Sequence, residues 1–72
     1  MKVLDILDKF SFTNSHINYI NINSKYGIKE LHRDEISFLS DSIRNAEVLS
    51  ISVTNKPDGY YTKAILEIHI DV

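Results

Sequence analysis

The side chains able to do chemistry are scattered along the chain instead of forming motifs. His16, His32 and His69 stand far apart, with no HxxxH spacing to set two imidazoles on one helix face, so no metal site is expected. Cysteine is absent, which removes thiolate nucleophiles, CxxC redox pairs and Cys-ligated zinc together. The only glycines, Gly27 and Gly59, build neither a phosphate-cradling loop nor a GxSxG nucleophile elbow. On these grounds the chain is expected not to be an enzyme and to carry no cofactor. His69, between Glu67 and Asp71 on the outward face of the last strand, reads as a solvated cross-strand neighbour.

Charged and aromatic residues suggest contact more readily than catalysis. Asp34, Glu35, Asp41 and Glu47 outnumber Arg44 in their segment. A helix face bearing Asp34, Glu35 and Asp41 can imitate phosphates for the Arg and Lys of a nucleic-acid-binding groove, although an ordinary solvated face explains the same residues. The mirrored case is Lys25, Tyr26, Lys29 and Arg33, where cations and an aromatic ring could touch phosphate and base. A third surface centres on Tyr60 and Tyr61. At least one of two consecutive strand residues must point outward, and Tyr61, Lys63 and Ile65 alternate along one face with Val48 across the ladder. Val48, Tyr60, Tyr61, Lys63 and Ile65 therefore form the expected partner-binding strip, the alternative being that the first helix covers that face.

The elements that position these residues follow from periodicity. Val3, Ile6, Leu7 and Phe10 mark one face of a short helix within residues 2–12, ended by the backbone-bonding cluster from Ser11 to Ser15. From His16 to Asn23 the alternation slips at Tyr19-Ile20, which implies a bulge or a strand covered on both faces. Ser24 to Gly27 makes a turn and Ile28 to Leu31 a short strand, paired with its predecessor or leaving it to the C-terminal hairpin. Ile36, Leu39, Ile43 and Ala46 form the stripe of a longer helix that begins at Asp34 and Glu35, with Phe38 at its border. Residues 47–55 and 60–72 alternate as two half-buried strands. Lys56-Pro57-Asp58-Gly59 is expected as a four-residue loop, which sets Leu49 opposite Leu66 and Ile51 opposite Ala64.

Together these elements give an α+β fold: one small domain over residues 1–72, a three- or four-stranded antiparallel sheet, two helices and a C-terminal β-hairpin. The expected core is Leu4, Ile6, Leu7, Phe10, Ile20, Ile22, Ile36, Leu39, Ile43, Leu49, Ile51, Val53, Leu66, Ile68 and Ile70. A core drawn from 72 residues usually leaves about 3–5 kcal/mol of net stability, so self-association is a natural supplement. The final strand, Ile65 to Ile70, is the expected free edge for a homodimer, with Glu67, His69 and Asp71 as gatekeepers.

Wider properties narrow the partners. No apolar run approaches the roughly 20 residues of a membrane span, and Asp5 and Asp8 interrupt what would be the apolar region of a signal peptide, so a cytoplasmic protein without a membrane partner is expected. A net charge of −2 gives no general pull toward nucleic acid. Small size, abundant Ile, Asn and Lys, and scarce Ala, Gly and Pro give a composition that resembles small proteins of AT-rich phages and their bacterial hosts, a group that includes anti-CRISPR and other anti-defence inhibitors. The resemblance is one of composition and implies a phage-like inhibitor or regulator that binds a larger protein. The alternative is a nucleic-acid-associated regulator that uses residues 25–33.

Overall fold

The computed structural model describes residues 1–9 and 17–71, except for the side chain of Lys9. Phe10, the Ser11–Ser15 cluster, His16 and Val72 lie outside the described residues. Helix α1 (Val3–Lys9) buries Val3 and Ile6, while Asp5 in its first turn accepts a hydrogen bond from the Lys2 backbone N–H at 3.0 Å. This is one half of a capping box, and it satisfies a donor just ahead of the helix. Leu4, expected in the core, is instead exposed: it falls off the stripe of residues 3, 6 and 7.

Strands β1 (Ile17–Ser24) and β2 (Gly27–His32) form an antiparallel hairpin closed by Lys25-Tyr26, and Gly27 takes a φ of +128° that side chains rarely adopt. The slip in β1 is a register shift between Ile17 and Tyr19. It places one extra residue, Asn18, so that Ile17 packs with the cluster containing Ile20 and Ile22 while Tyr19 takes the opposite face.

The expected long helix is two short ones, the 3-10 helix η1 (Arg33–Phe38) and α2 (Asp41–Arg44). Serine chemistry accounts for the break. Leu39 and Ser40 are extended, and the Ser40 hydroxyl accepts the Ile43 N–H, starting a new helix instead of continuing the old one. Arg44 donates to the Ser37 carbonyl at 2.8 Å and so ties α2 back to the end of η1. The apolar stripe survives the break: Leu39 and Ala46 are buried, Ile36 and Ile43 are half-buried against the core, and Phe38 is exposed.

Strands β3 (Val48–Asp58) and β4 (Tyr61–Ile70) pair antiparallel, and β4 also pairs with β1 in parallel. The sheet is therefore mixed, not purely antiparallel, with the order β2-β1-β4-β3. The β3–β4 loop is two residues, Gly59-Tyr60, shorter than the expected four. Gly59 alone has positive φ, +66°, as a II′ turn requires at its first central position, so Lys56 to Asp58 can remain in the strand. The pairing becomes Ile51 with Ile68 and Val53 with Leu66. This differs from the expected register by an even number of residues, so Ile51 and Val53 keep the face foreseen although their partners change, while the shift at Leu49 turns Val48 to the core face.

The core lies between the helices and one face of the sheet, where Ile20, Ile22, Leu31, Leu66, Ile68 and Ile70 meet Val3, Ile6, Leu39 and Ala46. Each Val, Leu or Ile among them contributes about 1.5–3 kcal/mol on full burial. Leu49, Ile51 and Val53, also expected in this core, stay exposed because β3 is the outermost strand and the helices pack over the other three.

Candidate functional site

The outer strand β3 carries three exposed aliphatic residues in one short stretch. Leu49, Ile51 and Val53 retain 66%, 46% and 52% of their accessible surface. The backbone beside them can be assigned a direction. Glu47 O accepts from Asp71 N, toward β4, whereas Val48 N donates to Met1 O at 2.7 Å, away from β4. A register shift between Val48 and Ser50 adds Leu49 as an extra residue and moves the outward set to Ile51, Val53 and Asn55. The two-residue loop gives the same phase, because Asp58 and Tyr61 close it as a bonded pair. Pro57 belongs to the outward set, where its missing N–H costs the β3–β4 ladder nothing.

The N-terminus caps only the start of this border. Lys2 bridges Glu47, Val3 N donates to Ala46 O, and the Met1 ammonium lies 3.0 Å from the Glu47 carboxylate. Beyond Leu49 the edge is free of described pairing, and it runs toward Tyr60 and Tyr61, both exposed at the hairpin tip.

The expected strip of Val48, Tyr60, Tyr61, Lys63 and Ile65 does not assemble as one exposed surface. Val48 pairs with Ile70 and packs against the core, whereas Ile65 pairs with Thr54 and Tyr19 on the opposite face and is fully buried. Lys63 is engaged on that opposite face, over the Tyr19 ring at 4.5 Å and 3.3 Å from Glu30. Only Tyr60 and Tyr61 remain as an exposed pair. The last strand is also not an edge: β4 is flanked by β1 and β3, so a homodimer through its border has no unpaired strand to use.

The charged segments are placed as follows. Lys25 lies over the Tyr26 ring at 5.2 Å in the β1–β2 turn, Lys29 sits on β2, and Arg33 follows the far end of that strand, half-buried. Asp34 and Glu35 occupy the first turn of η1 and Asp41 the first turn of α2, all exposed. His32 and Glu35 have the spacing of a capping box and form one: His32 Nδ1 accepts from Asp34 N at 3.2 Å, and Glu35 accepts from His32 N at 2.9 Å. That spacing was readable in the sequence, and it assigns His32 and Glu35 to helix initiation. His69 is exposed and paired with Asn23 and Ser50. Among the described residues no group of three or more His, Asp or Glu could hold a metal ion.

Comparison with family models, with curated proteins and with solved structures gives no match. The reading of this chain therefore rests on its own geometry. No helix among the described residues is long and apolar enough to cross a membrane.

One signal could have located the open edge from sequence. Pro57, which has no N–H to donate, marks its own strand as outermost once it is placed in a strand.

Proposed function

We propose that this chain is a non-enzymatic protein-binding module, a small inhibitor or regulator that occupies a surface of a larger protein by accepting one of its strands along β3. The observation that carries the reading is the conjunction on β3 of outward backbone groups at Ile51, Val53 and Asn55 with exposed Ile51 and Val53 side chains. Strand addition obtains affinity from main-chain hydrogen bonds and specificity from alternate side chains, and this edge supplies both. The unpaired stretch is bounded at one end by Met1 against Val48 and at the other by the turn at Gly59, and its apolar part lies in the first half. It suits a single extended segment of about five residues, comparable to a typical strand. Tyr60 and Tyr61, rigid and amphipathic, flank it and suit the margin of such a contact. The compositional likeness to phage inhibitors supports inhibition as the outcome.

The test is capture from cells of the source organism with the wild-type chain and with Ile51→Lys and Val53→Lys, each shown by circular dichroism to be folded. A partner retained by the wild type and lost by both variants is expected. Its addition should also slow amide exchange at Ile51, Val53 and Asn55. A partner that binds both variants unchanged removes β3 as the contact.

A further inference from the structure

At the opposite side of the sheet, beneath the β1–β2 turn, lies a groove of about 370 Å³. Its inner wall is the buried Ile22 and Ile70 with the half-buried Ile43 of α2, and its rim carries the exposed Tyr26, Lys29 and Ser42. We propose that this groove binds a medium-chain amphiphile with a carboxylate head, its hydrocarbon chain along the three isoleucines and its head at Lys29.

Size, lining and charge each bear on that choice. The volume falls within the range of small-ligand pockets. Water against the isoleucine wall has few hydrogen-bond partners, since the polar groups of the lining are confined to Ser24, Ser42, Lys29, the Tyr26 hydroxyl and backbone. An apolar chain loses nothing there. Lys29 pairs with Ile22 across the β1–β2 ladder, so both share the face that lines the groove. Unlike Lys63, which is neutralised by Glu30, Lys29 makes no ion pair with any described residue. A second cation, Lys25, stands over the rim residue Tyr26. An unpaired ammonium at the mouth of an apolar slot is complementary to a carboxylate on a hydrocarbon chain, and it disfavours a cationic head.

The groove contains no β3 residue in its lining and does not depend on the strand-addition reading. The probe is sodium decanoate, kept below its micelle concentration and added to the full chain labelled at isoleucine methyls. Decanol, decyltrimethylammonium and acetate serve as head and chain controls. Saturable shifts confined to the isoleucines that line the groove, Ile22, Ile28, Ile43 and Ile70, are expected with decanoate. Decanol should bind about three- to fivefold more weakly, as should decanoate to Lys29→Gln, the loss that accompanies one exposed charge pair. Acetate should leave the methyls unmoved, and decyltrimethylammonium should bind more weakly than decanol. Ser42→Trp, an exposed rim position whose hydroxyl lies 3.1 Å from Ser40 Oγ, should block the groove in a chain shown by circular dichroism to be folded. Absence of saturable shifts, equal affinity for decanoate and decanol, or unchanged decanoate binding by Ser42→Trp would each overturn the assignment.

Discussion

β2 and β3 each border the sheet on one side only, yet β2 has six residues and carries Lys29 and Glu30, whereas β3 has eleven with no charge from Val48 to Asn55. A short, charged edge discourages another strand, because pairing would strip water from ions without replacing their partners. A long edge of Leu, Ser, Ile, Val and Thr offers no such resistance. The difference extends to the layer above. The β2 side has η1 and α2 beside it and buries Leu31, while β3 leaves Ile51 and Val53 beyond the reach of the helices. The molecule is short-edged, charged and better covered at the β2 border, and long-edged, uncharged and less covered at the β3 border.

Mutations can break or sharpen that contrast. The largest effect is expected at the boundary between core and edge. Ile68→Ala should cost about 2–5 kcal/mol, enough to unfold much of so small a protein, because Ile68 is fully buried. Its ladder partner Ile51 keeps nearly half its surface, so Ile51→Ala should cost less than about 1 kcal/mol. Equal losses in urea titrations would show that the β3 face is packed as tightly as the core.

The two turns come next. Gly27 at φ +128° and Gly59 at φ +66° both meet open space where a Cβ would stand, so only backbone strain separates them. Alanine tolerates the left-handed helical region better than the wider angle. Gly27→Ala should therefore lower stability by about 2 kcal/mol and Gly59→Ala by about 1 kcal/mol. The reverse order in thermal melts would mean that the β3–β4 turn is the more constrained of the two. Ser40→Ala, which removes the cap of α2 above the closed side, should cost roughly 1 kcal/mol by the same measurement.

The smallest effects belong to surface charge. Glu30→Gln breaks an exposed pair with Lys63 and should change stability by no more than about 0.5 kcal/mol. Val53→Lys should be similarly mild for folding while giving β3 the charge that β2 already has. If Val53→Lys unfolds the protein, the side chain contributes to packing far more than its exposure implies.

Much of this arrangement was legible locally. Val3, Ile6 and Leu7 identified the covered face of α1, the slip at Tyr19-Ile20 announced the β1 bulge, and Gly27 marked its turn. The helix break was less legible, because the stripe of Ile36, Leu39, Ile43 and Ala46 fits a continuous helix and only the competing Ser40 hydroxyl decides otherwise. The candidate site was legible in kind but not in place. Apolar surface on a C-terminal strand was foreseen, but it was assigned to Ile65, which is buried, and to the border of β4, which is paired on both sides.

The sequence by itself determined that a C-terminal hairpin exists, that Ile51 and Val53 share the face of Leu66, Ile68 and Ile70, and that the chain carries no thiol, glycine-rich or paired-histidine motif. Those properties depend on neighbours a few residues apart, where the two-residue alternation of a strand and the steric freedom of glycine act directly. Only the tertiary structure decided that β4 enters the middle of the sheet beside β1, leaving β3 outside. That choice joins residues more than forty positions apart, such as Ile20 and Leu66 or Ile22 and Ile68, and it turns on which faces the helices can cover together. The same Ile-Ser-Val alternation that reads as half a core in the sequence therefore becomes, at the rim of the sheet, an exposed strand edge.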